Sequence, residues 1–502
     1  MDRITPAQPH ALHDAAATRQ IERRLQQSLP PCTLMQRAGH ASARLAQALA
    51  PHARSIWIAC GPGHNGGDGL EAAALLQQAG RPAWVTLLAE PARLPQDARH
   101  ALQRAQDAGV RFGPPPTAGA LSAQDLAIDA VLGIAAAPGR ADAWLQQAIA
   151  ALAACGAPVL ALDLPSGLDA DTGTFNSKLI AESPGTTLAT GLFHAKNTLS
   201  LLTLKPGLFT AHGRDMAGTV WFDDLGSGAQ RHQPTAWLAG AAGPERRLHA
   251  SHKGSYGDVA VIGGEGLARA GRGMSGAALL AATAALHAGA GRVLLALLEG
   301  NAGFGIDPAQ PELMLRSTEA LDLRSGAVVC GCGGGDAVRG VLPRVLGEAS
   351  RLVLDADALN AIAADAQLRR QLARRAAAGQ PTVLTPHPLE AARLLGQTAA
   401  EVQADRLAAA RRLAEDCGCT VVLKGSGSIV AAPRQAPSIN PTGNARLATA
   451  GTGDVLAGMV GAGLARGADA FSAAVAAVYR HGALADEWPP GAPLTASALA
   501  RR

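Results

Sequence analysis

Residues 444–454 read Asn-Ala-Arg-Leu-Ala-Thr-Ala-Gly-Thr-Gly-Asp, with no charge between Arg446 and Asp454. They run into the helical apolar pattern Val455, Leu456, Met459, Val460 and Leu464. A glycine loop opening a helix gathers free backbone N–H groups and the positive end of the helix dipole at one point, which suits a phosphate. Asp454 stands at the expected helix start, where it can cap the helix or act as a base beside the bound phosphate. A second glycine loop, Gly-Pro-Gly-His-Asn-Gly-Gly-Asp-Gly at 61–69, follows the apolar run 55–60. Gly61, Gly63 and Gly66 satisfy G-x-G-x-x-G, which on its face suggests a dinucleotide-dependent dehydrogenase. Pro62 lies inside that turn, however, and Asn65 and Asp68 add polar groups that a plain pyrophosphate loop does not need. They can contact a ligand or a cation, or merely stabilise the turn.

The elements that must position these loops alternate along the chain. Residues 11–50 read as two helices, the second capped by Thr33 with Leu34, Ala38, Ala41, Leu45 and Leu49 on one face. Strands are expected at 55–60, 84–88, 126–132, 158–163 and 198–204, with a helix from near Leu70 to Gln78. Asp129 is a charge inside a strand and needs a partner, either a bound cation or a salt bridge. Asp163 ends its strand on the edge where open α/β sheets bind ligands. Ser166, Asp169 and Asp171 follow it, and Lys205 follows the next strand at the same edge.

After a linker at 233–245 the alternation restarts. Strands at 259–262, 293–298, 327–330, 352–355, 382–385 and 420–424 lead into polar or glycine loops, with an Ala-rich helix from Ser275 to near Gly289. The chain therefore reads as α/β, two doubly wound domains at 1–230 and 240–502. In the second domain Asp355, Asp357, His387, Lys424 and Asp454 each have a bland reading as cap, packed loop residue or surface charge. All follow apolar strands or the final glycine loop, so they gather on one face.

Composition narrows the class. At 502 residues with 48% hydrophobic and 17% charged, cores are ample; aromatics are only 3%, so Ala, Leu and Val must fill them. The net charge is +4, without a concentrated basic run or aromatics to stack bases, which argues against nucleic-acid binding. The seven Cys lack zinc-type spacing and are odd in number, so free buried thiols in a reducing cytoplasm are expected. Neither a leader-like apolar segment at 1–10 nor a long uninterrupted apolar run is present, so no membrane partner is expected.

The motifs at 61–69, Asp-Leu-Pro-Ser-Gly-Leu-Asp at 163–169 and Lys-Pro-Gly at 205–207 together resemble the NAD(P)H-hydrate epimerase domain, over most of residues 15–225. That resemblance implies a Rossmann-like fold and interconversion of the R and S hydrates of NADH and NADPH. It implies substrate contacts from His64, Asn65, Gly66, Gly67, Asp68, Gly133 and Asp163, proton transfer by Asp163, and a potassium ion on Asn65, Asp129 and Ser166. His64 stands where Asn is usual, and the loop 133–140 and the segment 176–197 depart from the pattern.

In the second half, His-Lys-Gly-Ser-Tyr-Gly at 252–257, Asp-Ala-Asp-Ala-Leu-Asn at 355–360, Thr-Pro-His-Pro at 385–388, Leu-Lys-Gly at 423–425 and Gly-Thr-Gly-Asp at 451–454 resemble the ribokinase-like ADP- or ATP-dependent NAD(P)H-hydrate dehydratase. That implies hydrate contacts from Ala277, Gly335, His387 and Asp454, and nucleotide contacts from Lys424, Gly425, Ser426, Gly427, Ser428 and Gly453. Cys332, Gly334, Leu389, Ser428 and Ala450 depart from the family pattern; Ala450 would narrow the approach to phosphate if its position needs positive φ.

The resemblance implies a kinase-like step in which Asp454 takes the proton of the C6 hydroxyl and the hydroxyl attacks the terminal phosphate of ADP or ATP, with magnesium assisting. Phosphate then leaves, pushed by the ring nitrogen, and NAD(P)H, AMP or ADP, and inorganic phosphate result. A homo-oligomer is expected. Two alternatives stand beside this reading: a ribokinase-like small-molecule kinase that releases a phosphorylated product, and a first half that is a non-catalytic nucleotide-binding module.

Overall fold

The computed structural model describes residues 1–134, 142–179, 193–228, 231–243, 248–267, 271, 273–298 and 306–502. The 133–140 loop beyond Ile134 and the middle of the 176–197 segment, both singled out above, lie outside the described residues. The chain divides into two compact units, one of residues 1–5 and 10–236, the other of residues 6–9 and 237–502. Among the described residues no helix is long and apolar enough to cross a membrane.

Each unit is a doubly wound α/β sheet. In the first, the strands lie in the order Asp2–Arg3, Thr219–Asp223, Asn197–Leu201, Val159–Leu162, Leu126–Ala130, Ile56–Cys60, Ala83–Leu87, Arg111–Phe112. All pairs are parallel except the first. Such strands are covered on both faces, which explains their unbroken apolar runs, such as the fully buried Ile-Trp-Ile-Ala-Cys. In the second unit, Met314–Leu315, Arg292–Leu297, Asp258–Gly263, Ala327–Cys330, Arg351–Leu354, Thr382–Leu384 and Thr420–Leu423 run parallel, and Ile429–Ala431 and Ser438–Ile439 continue antiparallel. The cores are built mainly of Ala, Leu and Val, as the scarcity of aromatics requires.

Several expectations are corrected. The helix expected from near Leu70 begins at His64 and runs to Gln78, so residues 64–69 of the glycine motif lie in its first two turns. Low helix propensity made five glycines in nine residues read as a loop. They are there for close approach instead: a Cβ on Gly66 would overlap the Gly61 carbonyl, and one on Gly69 would lie 2.6 Å from the Ala130 Cβ and 2.9 Å from the Cys60 Sγ. Thr33 is the first helical residue rather than the cap. That place is taken by Cys32 at φ 64°, while the Thr33 hydroxyl donates to the Pro30 carbonyl. The stretch read as linker contains a strand, Ala236–Leu238, that pairs in parallel with Ser438–Ile439. Three residues among Pro, Gly and Ala are too few for periodicity to reveal.

Helix Thr452–Ala465 lies against helix Ser275–His287, so close that a Cβ on Gly458 would overlap the Ala281 carbonyl. Close approach and open space predict opposite effects of adding one methyl. Gly69→Ala should lower stability by about 1–3 kcal/mol through overpacking. Gly340→Ala, exposed in helix Val338–Glu348 with nothing near its Cβ position, should raise it by up to about 1 kcal/mol. Thermal melts of the two variants check this; equal shifts would refute the packing account.

Candidate functional site

In the first sheet the chain departs in opposite directions from the neighbouring strands Ile56–Cys60 and Leu126–Ala130, so the loops after them part and leave a crevice. A cavity of about 610 Å³ opens there, lined among others by His64, Asn65, Asp68, Gly133, Asp163 and Lys205. Five of the sequence candidates, His64, Asn65, Asp68, Gly133 and Asp163, are thus brought together around one cavity. Gly66 and Gly67 do not line the cavity. They face inward, Gly66 onto the Gly61 carbonyl and Gly67 onto the Met35 side chain, and let the helix start close to the sheet.

Asp163 holds φ at 66°, in the left-handed region, immediately past its strand. Strain of that kind at a non-glycine residue persists where surrounding contacts over-determine it. Here Lys205, read as either surface or site residue, is 1% exposed and its ammonium pairs with the Asp163 carboxylate while donating to the Leu201 carbonyl at 2.6 Å. Asp68 is pushed well above the usual carboxylate range, by burial first and then by the charges of Asp163 and Glu22. Gly133 fits between the two loops: a Cβ there would be 3.0 Å from Asp163 Oδ2 and 3.6 Å from the Asn65 Cβ.

Behind this wall Asp129 is fully buried and has no cationic side chain among its hydrogen-bond partners. It accepts from the Ser166 hydroxyl at 2.6 Å, the Ser166 N–H at 2.8 Å and the Val131 N–H at 3.1 Å, and Ser166 Oγ accepts from the Leu132 N–H at 2.9 Å. Burial nevertheless raises its pKa to about 6. Asn65 donates to the Leu162 carbonyl at 3.2 Å, but its own buried Oδ1 has no hydrogen-bond partner. An orphaned amide oxygen, an uncompensated carboxylate and a hydroxyl are hard oxygen donors, and they suit a weakly charged hard cation such as potassium. Asp169 and Asp171 are structural. Asp169 closes its own turn through Asp171 N–H, Thr172 N–H and the Thr172 hydroxyl, and Asp171 accepts from the Ala15 N–H.

The second sheet has the same kind of reversal between Asp258–Gly263 and Ala327–Cys330. Glu265 and the 331–335 turn face each other there: a Cβ on Gly335, at φ 51°, would collide with the Glu265 carboxylate, and Gly335 N–H donates to Asp357 Oδ2 at 2.8 Å. Ala277 closes this wall against Gly333. Asp357 is therefore not a free cap, and Asp355 is a 1% exposed strand-end carboxylate that accepts from Lys424 Nζ at 2.9 Å and the Thr385 hydroxyl at 2.8 Å. Burial alone would lower the Lys424 pKa, but the charges of Asp355 and Glu390 outweigh it and the net shift is upward.

Asp454 is not an N-cap. The helix begins at Thr452 with Gly451 as cap at φ 91°, which leaves Asp454 in the first turn. Ala450 keeps negative φ, so its methyl imposes no left-handed strain; Gly451 takes that conformation. Burial first, then the Asp355 charge, raises the Asp454 pKa to about 7. Its carboxylate, that of Asp355 and the Cys332 thiol lie within 4.8 Å of one another. Lys424 Nζ faces the same helix start, 3.3 Å from where a Gly453 Cβ would be. Gly425, Ser426, Gly427 and Ser428 form the turn between Thr420–Leu423 and Ile429–Ala431, with φ 138° at Gly425 and 62° at Gly427. His387 caps helix Pro388–Leu395 through Nδ1, with Glu390 completing the box, so its packing role is real. The same box holds its ring within electrostatic reach of Lys424 and Asp355. A hard divalent cation suits carboxylates and phosphate oxygens, not the Cys332 thiol, and Asp355 already carries an ammonium. This donor set suits magnesium arriving with nucleotide phosphates rather than a cage made by the chain.

Residues 31–207 match the family described as YjeF-related protein N-terminus, and residues 259–500 match NAD(P)H-hydrate dehydratase. The bifunctional NAD(P)H-hydrate repair enzyme of Escherichia coli (strain K12) is 36% identical over 477 residues, covering 90% of this chain and 84% of that one. The chain belongs to the NAD(P)H-hydrate repair enzyme family. The ADP-dependent (S)-NAD(P)H-hydrate dehydratase of Neisseria meningitidis serogroup B is 45% identical over 260 residues, 51% of this chain and 84% of that one. An ADP/ATP-dependent NAD(P)H-hydrate dehydratase from Bacillus subtilis, crystallised with ATP and magnesium, is 31% identical over 51% of this chain and 90% of its own, with a TM-score of 0.42.

Sequence reasoning missed Glu265 and Arg406. Arg406, buried and lowered to about 10 by that burial, donates to the Leu423 and Lys424 carbonyls and holds the 425 turn. These residues lie on other elements, and no local spacing points to them.

Asp129 gives a pH signature. Its folded pKa of about 6 lies above the ordinary carboxylate value of 3.8, so the folded state holds the proton more tightly. The associated stability is present below about pH 4 and is lost as pH rises through about 6, by about 3 kcal/mol. Asp129→Asn should flatten that limb in denaturant melts of the full chain from about pH 4 to 7; an unchanged limb would refute the assignment.

Proposed function

We propose that residues 1–230 interconvert the R and S hydrates of NADH and NADPH, and that residues 240–502 dehydrate the S form at the expense of ADP, or ATP, with release of phosphate. Membership of the bifunctional family does not favour the small-molecule kinase alternative or a non-catalytic first half. The Neisseria relative supports ADP as donor. The observation that carries the reading is Asp454, a buried carboxylate with a pKa of about 7 in the first turn of a glycine-initiated helix, facing Lys424.

In the second domain Asp454 accepts the proton of the C6 hydroxyl as that oxygen attacks the terminal phosphate. The amides of Gly451 to Gly453 and the Lys424 ammonium stabilise the charge that develops there. Magnesium, bound with the nucleotide, supplies further charge neutralisation on the phosphates. Ala277, Gly335 and His387 line the hydrate side, and the 424–428 turn takes the nucleotide. The chemistry needs phosphate because hydroxide leaves poorly, whereas the ring nitrogen expels phosphate readily, and loss of a proton from the carbon next to C6 of the resulting iminium restores the ring double bond. In the first domain Asp163, held by Lys205, moves the proton that epimerisation requires, with His64, Asn65, Asp68 and Gly133 around the substrate. Asn65, Asp129 and Ser166 would hold potassium, whose charge offsets that of buried Asp129.

Recovery of reduced-nicotinamide absorbance from mixed-epimer NADH hydrate tests this, with magnesium and ADP, ATP or neither. Complete nucleotide-dependent recovery is expected. Recovery that stops near half, after correction for spontaneous epimerisation, would remove the epimerase; none would remove the dehydratase. Asp454→Asn should lower dehydration by about 10²–10⁴-fold and leave epimerisation intact. Wild-type dehydration should rise with pH through about 7, as Asp454 loses its proton. Loss of both activities in a folded variant contradicts the division of labour.

Potassium should raise the thermal transition above pH 6 more than sodium or tetramethylammonium does, and Asp129→Asn should abolish the difference. Equal effects of the three ions would remove the potassium assignment.

A further inference from the structure

Cys32 caps helix Thr33–Leu49 at φ 64°, and its Sγ lies 3.2 Å from His100 Nδ1 and 3.4 Å from Asp97 Oδ1. Asp97 and His100 stand three residues apart on helix Gln96–Asp107, hence on one face. The three donor atoms lie within 4.8 Å of one another. Thiolate, imidazole and carboxylate are the three side-chain ligands that zinc prefers. Zinc–sulfur and zinc–nitrogen bonds of about 2.3 and about 2.0 Å at a tetrahedral angle set S and N about 3.5 Å apart. The observed spacing needs little change to meet that.

The electrostatics agree. Burial first, then Asp97, raises the Cys32 pKa, so proton and metal would compete for the thiolate. Arg104, whose charge and hydrogen bond act on this thiol in the other direction, is shared with buried Glu71. Exposed His100 leaves a side open for water as a fourth ligand. The other cysteine cluster, Cys332 with Asp355 and Asp454, differs because Lys424 already sits on Asp355.

We propose that Cys32, Asp97 and His100 form a site for a borderline-soft divalent cation, zinc above all, that clips the start of helix Thr33–Leu49 to helix Gln96–Asp107. Of its three residues Asp97 also lines the first cavity, whereas Cys32 and His100 are not among its lining.

The test uses the metal-stripped full chain titrated with cobalt(II). A thiolate-to-cobalt charge-transfer band saturating at one equivalent, bleached by zinc, is expected, and zinc should raise the thermal transition. Cys32→Ser should remove the band, and His100→Ala should weaken cobalt binding at least about tenfold. Should Cys32→Ser fail to fold, His100→Ala carries the test by itself. No thiolate band in the wild-type protein, a band kept by folded Cys32→Ser, cobalt affinity unchanged in His100→Ala, or a band lost instead in Cys332→Ser would each overturn the proposal.

Discussion

A carboxylate buried at or near the carboxyl end of a parallel strand must find a counter-charge or hydrogen bonds, or keep its proton. Three such groups stand at the two candidate sites of this chain. Asp163 has Lys205, and Asp355 has Lys424, each lysine itself folded under the strand edge. Asp129 has only hydrogen bonds, and its pKa rises accordingly. The two ion pairs are costly to bury and are kept where side chains must be both charged and fixed. Around them the neighbouring carboxyls, Asp68 and Asp454, are driven upward, by burial first and then by the charges of Asp163 and Asp355 respectively. A base whose pKa is near the working pH arises from that arrangement.

Glycine supplies the other half of each site, and it does so through proximity more than through turns. In the first unit Gly66 and Gly69 let a helix begin almost on the sheet, so Asn65 and Asp68 come to the cavity from helical positions with fixed direction. In the second, Gly451 turns the backbone into the helix and Gly458 seats that helix on its neighbour. Side chains carried on the first turns of packed helices are held more tightly than loop residues would be. That rigidity is what proton transfer and phosphoryl transfer require.

Fusing the two domains has a chemical logic independent of how they are arranged. Hydration produces two epimers, and a dehydratase selective for one would strand the other. Interconversion lets the dehydration of one epimer drain both, at the cost of one phosphate per molecule restored.

The candidate residues were legible because Asp163, Lys205, Asp355 and Lys424 follow apolar strand runs, which mark a single sheet edge, and because Asp454 ends a glycine loop that opens a helix. The alternation of strands and helices likewise announced two doubly wound units. What remained hidden depended on contacts between distant segments. Propensity read the glycine-rich 61–69 stretch as a loop, whereas packing against Gly61, Cys60 and Ala130 makes most of it helix. Asp454 read equally well as a cap, and only Gly451 taking that place left its carboxylate free for chemistry. The strand at Ala236–Leu238 exists because Ser438–Ile439 offers it an edge. Cys32, Asp97 and His100 meet across 65 and 68 residues of sequence. Residue type and periodicity are local properties, and sequence carries them directly; charge pairing, close approach and donor clusters are distances, and only the tertiary structure decides those.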